Sequence, residues 1–270
     1  MTGRTLTARI VPPPLMPGRA FTRILERNFY VYRRIWTIVF SGFFEPVFYL
    51  FSIGVGIGAL VGDVVGPNGQ PIEYAVFVAP ALLGSSAMNG AIYESTMNIF
   101  FKLKYGKIYD AILSTPMQPL DIAVGEITWS LGRGALYASG FLIVMASMGL
   151  MPSLWGIMAL PAAILIGFAF AACGMAATTY MRTWQDFDLV NLVVLPLFLF
   201  SGTFYPLSVY PPVFQFFTRF SPLYHSVEMI RAFTLGLFDW SLAGHIGFLV
   251  AMGSMGAAVA SRRLSRLLLT

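Results

Sequence analysis

The chain has 270 residues, of which 57% are hydrophobic and 11% charged, with a formal net charge of +5. A soluble globular protein carries roughly 25% charged residues, so this composition excludes an ordinary water-facing surface and points to one membrane-embedded bundle. The positive balance does not mark a nucleic-acid partner, because the basic residues gather at the ends of apolar runs, where positive charge reports membrane orientation.

Residues 1–35 form a basic N-terminal segment with Arg4, Arg9, Arg19, Arg23, Arg27, Arg33 and Arg34. Within it, 19–36 reads as an amphipathic helix on the cytoplasmic face of the membrane. Phe21, Ile24, Leu25, Asn28 and Tyr32 follow helical spacing, while Arg23, Arg27 and Arg34 populate another side. The alternative is a basic tail that only sets topology. The apolar run from about 36 to 61 is too long for the 7–15-residue core of a secretory signal, so no cleavable signal is expected.

Crossing the hydrocarbon core takes about 20 mostly apolar residues. Six stretches qualify: 36–60, 74–100, 127–150, 154–180, 189–204 and 242–260; the fifth is short and the third is interrupted by Gly132-Arg133-Gly134, which leaves five or seven as the alternative counts. The loop after the second holds Lys102, Lys104 and Lys107; Arg182 follows the fourth; Arg262, Arg263 and Arg266 follow the sixth. The connections 62–73 and 151–153 carry no basic residue. Alternate loops are thus basic, which places both ends in the cytoplasm.

Two longer connections carry structure of their own. In 102–126, Tyr109-Asp110-Ala111-Ile112-Leu113 precedes Pro116 and Pro119 and reads as a short helix stopped by those prolines. The external region 205–239 is divided by Pro206, Pro211, Pro212 and Pro222, yet 213–220 and 223–233 are apolar and helical in pattern. Short apolar helices of this kind suit a re-entrant hairpin sheltered by protein. The expected fold is therefore all-α: six transmembrane helices, an N-terminal interface helix and a re-entrant helical hairpin before the last span. One transmembrane domain fills 36–260, and 261–270 is a cytoplasmic tail.

Glycine-rich Gly54, Gly56 and Gly58 lie inside an apolar helix and serve close packing, like Gly167 and Ala171. Cys173, the single cysteine, packs as a small hydrophobe. No lysine sits in a GxxxxGK[ST] pattern, so this chain cannot hydrolyse ATP by a phosphate-binding loop of its own. Charges inside spans are costly and invite a functional reading. Glu45, Glu94 and Arg133 either line a hydrophilic translocation path or, as with Arg133 and Glu94, form an interhelical ion pair. His225, Glu228 and Arg231 share a helical face as an acid–base or recognition site, or as one network holding the hairpin; His245 stands apart from them.

The blocks Glu45-Pro46 with the following 51–62, Ala79-Pro80, Tyr93-Glu94 and 110–116 resemble the ABC-2-type permeases. The resemblance is most specific at Ser201-Gly202-Thr203-Phe204-Tyr205-Pro206-Leu207, Pro211-Pro212 and 222–231, and within the family it is to the nodulation-type lipooligosaccharide exporter permeases. It implies a second permease copy, identical or related, and two separate ATP-binding cassette subunits that bind ATP and Mg, with no cofactor in this chain. It also implies that Lys107, Tyr109, Asp110 and Leu113 form the coupling contact with the ATPase. A lipid-linked sugar, a polysaccharide or a hydrophobic drug-like molecule would be the cargo. The expected location is the bacterial inner membrane, among membrane lipid and with no nucleic acid. The competing reading is a membrane enzyme acting on lipid-linked substrates at the outer face through His225 and Glu228.

Overall fold

The computed structural model describes residues 20–34 and 44–268. The arginines before position 20, the opening of the expected first span at 36–43 and the side chain of Glu45 lie outside the described residues. The first helix, α1 (Phe21–Arg34), buries Ile24 and Asn28 one turn apart and leaves Arg23, Arg33 and Arg34 exposed. Phe29 and Tyr30 stay exposed on a further face, the arrangement of an interfacial helix with a charged side and an aromatic side.

Helix α2 runs through three segments: Phe44–Tyr49, the π-helical Leu50–Ile57 and Gly58–Val61. A small hairpin follows, so the fold is mostly helical rather than purely so. Strands β1 (Asp63–Val65) and β2 (Pro71–Glu73) pair antiparallel, Val64 opposite Ile72. Pro67 and Asn68 suit the turn between them, and Gly69 takes the left-handed backbone (φ 77°) that closes it.

Helix α3 (Tyr74–Tyr105) is buried nearly all round and forms the axis of the bundle. It widens into π geometry at Glu94–Asn98 and again at Phe101–Tyr105. Ser95 and Thr96 donate their hydroxyls to the Ile92 carbonyl at the first of these turns. Helix α4 (Ile108–Leu113) folds back after Gly106-Lys107. Lys107 there has φ 45°, the single positive-φ non-glycine among the described residues.

Helix α5 (Pro119–Ser147) starts well before the expected 127. Pro119 needs no helical partner for its missing N–H at the first turn, and Asp121 accepts from the Gln118 N–H at 3.0 Å as half of a capping box. The expected interruption at Gly132-Arg133-Gly134 is absent: both glycines keep ordinary helical backbone, and Arg133 finds partners that let the helix run through.

A 3₁₀ turn, Leu154–Met158, leads into α6 (Ala159–Thr178), whose buried face is mostly Ala and Gly. Helix α7 (Phe187–Leu199) follows, then α8 (Pro212–Arg219), α9 (Pro222–Leu235) and α10 (Trp240–Leu268). The two short apolar helices expected in 205–239 are α8 and α9. Helix α10 crosses α6 so closely that a Cβ at Gly256 would lie 2.8 Å from the Cys173 backbone nitrogen.

Among the described residues, three helical runs are long and apolar enough to cross a membrane: Tyr74–Tyr105, Leu154–Thr178 and the α10 run. The first expected span, 36–60, opens outside the described residues, and two others fall short of that test for separate reasons. Helix α7 has 13 residues, about 20 Å at 1.5 Å per residue. Helix α5 is long enough but carries Asp121, Glu126 and Arg133. The main core joins α3, α5, α6, α9 and α10, and a second cluster ties Ile24, Tyr109, Ile122, Met175 and Leu264 together at the basic end of the bundle.

Candidate functional site

The densest polar site is at that basic end, where α1, α3, α4 and α5 meet around Glu126. Its carboxylate accepts from Lys102 Nζ at 2.8 Å, Asn28 Nδ2 at 3.1 Å and the Tyr109 hydroxyl at 3.2 Å. All four residues are buried. An ion pair removed from water gains little net stability unless its remaining lone pairs are also satisfied; Asn28 and Tyr109 do that here. Burial, reinforced by the Glu126 carboxylate, holds the Tyr109 phenol well above its ordinary pKa, so it stays a donor.

Close backbone approach makes the site possible. A Cβ at Gly125 would lie 2.8 Å from the Cβ of Ile24, so only glycine lets α1 lie this near α5 and bring Asn28 to Glu126.

A second network sits further along the same helices. Arg133 Nη1 donates to Glu94 Oε2 and to the Tyr32 oxygen, each at 2.7 Å. Tyr32 donates to Glu94 Oε1 at 3.2 Å, and Asn98 reaches the same oxygen at 2.6 Å. The Arg133 guanidinium also lies 4.8 Å from the Tyr32 ring centre. Burial first, then the Glu94 charge, pushes the Tyr32 phenol up to about 12.

The two networks have opposite polarity. Near Tyr32, α3 supplies the acid and α5 the base; near Asn28, α3 supplies the base (Lys102) and α5 the acid (Glu126). Sliding α3 against α5 would bring like charges together, so the pairs fix the register of these helices. Tyr32 and Asn28, one turn apart on α1, touch both pairs.

Of the residues assigned to ATPase contact by resemblance, Lys107 just before α4 and Asp110 on it are exposed, and Leu113 is half-buried. Tyr109 is not a surface residue: it turns inward, 1% exposed, to reach Glu126. The expected docking face is therefore narrower, and Tyr109 instead fastens α4 to the bundle.

Glu94 and Arg133, the expected path residues, are paired rather than open. A cavity of about 670 Å³ lies beside them between α2, α3, α5 and α7, lined by Ser85, Asn89, Tyr93, Tyr137, Asp188 and Asn191 among apolar side chains. Neither Glu94 nor Arg133 lines it; Tyr137, 5.8 Å from the Arg133 guanidinium, connects the two. The side-chain oxygen of Asn89 is buried without a hydrogen-bond partner among the described residues. Of Glu45 only the backbone is described, at the start of α2.

At the opposite end, Arg231 pairs with Glu228 and donates to the Gly202 carbonyl at 3.0 Å. Its guanidinium also stacks 4.0 Å over Phe77. These contacts pin α9 to the 200–206 loop and to α3. His225 departs from its expected companions: its Nδ1 is 2.7 Å from His245 Nδ1, and its ring stacks on Phe248 at 4.1 Å. His245 thus does not stand apart. Packing of α9 on α10 joins the two, a contact that spacing within α9 cannot encode.

Sequence reasoning misses the roles of Glu126, Lys102 and Asn28. Their one signal is a carboxylate and a lysine flanking a proline-stopped helix, which reads equally as solvated loop charge.

Comparison with known proteins identifies the family. The ABC-2 type transporter family model matches residues 19–235, and the chain belongs to this family. It is 31% identical to nodulation protein J of Rhizobium leguminosarum bv. trifolii over 274 aligned residues, covering 98% of this chain and 100% of the relative. It is 32% identical to nodulation protein J of Sinorhizobium fredii, covering 84% of this chain and 85% of the relative. The inner membrane transport permease YadH of Escherichia coli is 27% identical, with 86% of this chain and 89% of the relative covered. The chain is accordingly a membrane permease of the ABC-2 type.

Proposed function

We propose that this chain is the membrane subunit of an ATP-driven exporter in the bacterial inner membrane, with six spans, α8 and α9 as its re-entrant hairpin, and both ends in the cytoplasm. It works as one of two permease copies with two ATP-binding cassette subunits, which bind ATP and Mg and hydrolyse the nucleotide. The observation that carries this reading is the buried Glu126 site, which joins α4 to α1, α3 and α5.

Lys107 at the start of α4 and Asp110 on its exposed face meet the ATPase. When its nucleotide sites close, the push on α4 travels through Tyr109 to Glu126, and from there to α1 through Asn28 and to α3 through Lys102. A stiff chain of paired groups transmits displacement where a mobile loop would absorb it. The Arg133–Glu94–Tyr32 network moves with α1 and α5, and Tyr137 carries the change to the cavity wall. That cavity, amides and hydroxyls on an apolar background, suits an amphiphilic cargo: a lipid-linked sugar, a polysaccharide or a hydrophobic drug-like molecule.

The reading of a membrane enzyme acting through His225 and Glu228 is weaker, because both side chains already hold partners, His245 and Arg231. The test is co-purification in mild detergent with the ATPase encoded beside this chain, comparing wild type with Asp110→Arg and His225→Ala. Co-elution that Asp110→Arg weakens supports the exporter. A chain that elutes alone, and loses a lipid-directed activity in His225→Ala, overturns it.

A further inference from the structure

Helix α7 separates two cavities of different character. Asp188 and Asn191 face the mixed polar cavity already described, whereas Leu189, Val193 and Leu197, each one turn from the next, close a second one. This second cavity, about 720 Å³, is a groove with Ile92 of α3, Cys173 of α6 and Met252 of α10 along it. Its volume lies within the range of small-molecule sites, and its walls are apolar segments of a membrane permease.

The charged residues lining the groove follow the end of α6. Arg182 and Asp186 lie there, with Tyr180 beside them. Asp186 is committed to the start of α7, accepting from the Arg182 N–H at 2.7 Å and the Thr183 N–H at 3.1 Å. The exposed Arg182 takes part in no ion pair among the described residues. The Arg263 guanidinium stacks 4.2 Å over the Tyr180 ring, and its Nε is buried without a hydrogen-bond partner among the described residues. An apolar trough thus ends at one exposed cation, Arg182, beside a carboxylate already engaged by backbone N–H groups.

We propose that this groove binds an anionic phospholipid of the surrounding bilayer, an acyl chain along Leu189, Val193 and Leu197 and the phosphate at Arg182. The charge pattern selects an anion, since arginine pairs with phosphate through its planar fork of donors. The apolar length selects a chain-bearing one. Because α7 is the shared wall, lipid in the groove sets how far α7 stands from α3 and hence the width of the polar cavity. That last consequence rests on the export reading; the lipid site itself does not.

The chain supplies its own reporter, since Cys173 in the groove is its single cysteine. The full chain is purified in mild detergent and titrated with phosphatidylglycerol or phosphatidylcholine. Native mass spectrometry counts retained lipid, and N-ethylmaleimide labelling of Cys173 reports groove occupancy. Phosphatidylglycerol is expected to be retained and to slow labelling saturably. Arg182→Gln should raise the half-protecting concentration about fivefold, the weight of one basic contact with an anionic headgroup. Val193→Trp, which fills the groove, should slow labelling without lipid and abolish retention of phosphatidylglycerol. Equal retention of both lipids, or retention unchanged in both Arg182→Gln and Val193→Trp, would overturn the proposal. If Cys173 does not react, retention across the three proteins decides alone. Loss of co-elution with the ATPase while phosphatidylglycerol retention persists would count against the export reading and leave the lipid site standing.

Discussion

Replacing Glu126 by Gln tests the point where α1, α3, α4 and α5 meet. The Glu126 side chain is 2% exposed and that of Lys102 10%, so the ammonium left behind would stay out of water with only neutral acceptors. Removing one partner of a buried pair costs about 3–5 kcal/mol, because the surviving charge is uncompensated. Gln keeps one oxygen for Asn28 or Tyr109, which places the expected loss at the lower end, about 3 kcal/mol. At about 2–4 °C per kcal/mol, the apparent melting temperature of the purified full chain should fall by about 6–12 °C. A double variant separates charge from packing: Glu126→Gln with Lys102→Met removes both charges, keeps an oxygen for Asn28 and Tyr109, and should lose less stability than Glu126→Gln alone. The assay is thermal unfolding in detergent followed by intrinsic fluorescence. A Glu126→Gln loss below about 0.5 kcal/mol, or a double variant as damaged as the sum of its parts, would refute the reasoning.

Gly125→Ala should cost about 1–3 kcal/mol through overpacking against Ile24, and Ile24→Ala in the same chain should recover part of it; no recovery would mean that α1 does not lie on α5 as described. Gly256→Leu should unfold the α6–α10 crossing, seen as loss of the monodisperse peak in size-exclusion chromatography, because the Cys173 backbone leaves no room for a side chain. The Asp186 pKa is lowered from its ordinary 3.8, first by the Arg182 N–H and then by that of Thr183. A depressed carboxylate stabilises the fold above its unfolded value and loses that effect as pH falls through the lower folded value. Hydrogen exchange at the start of α7 should therefore be faster in Asp186→Ala than in wild type at pH 7, and the ratio should approach one in strong acid. An unchanged ratio would remove the cap from the account.

Much of this arrangement is legible in the residues, and what is not has definite physical causes. The helical spacing of Ile24, Asn28 and Tyr32 marks the inward face of α1, and Pro116 with Pro119 marks the end of α4, because both signals are local. The pairing of Arg133 with Glu94 is one of two readings the sequence leaves open, and the geometry pairs them. Lys102 reads in sequence as a topology marker at a loop start, yet α3 continues past it in π geometry and turns it into the bundle. Each π turn takes up an extra residue, so the helical phase that sequence periodicity assumes is lost beyond Glu94. The inward turn of Tyr109 and the meeting of His225 with His245 depend on how separate helices pack, which spacing within one helix does not carry. Of the expected spans, α7 lacks the length and α5 the apolarity to be recognised alone, the charges of α5 finding partners inside the bundle, while the first expected span opens outside the described residues.

The most direct test of the central claim is ATP hydrolysis by the permease co-assembled with its ATPase in lipid nanodiscs, with wild type, Asp110→Arg and Tyr109→Phe compared. The account expects Asp110→Arg to weaken assembly. It expects Tyr109→Phe, which keeps α4 in place but removes the hydroxyl that reaches Glu126, to leave assembly intact while changing the permease-dependent hydrolysis rate. Full assembly and wild-type hydrolysis in both variants would contradict coupling through α4 and Glu126.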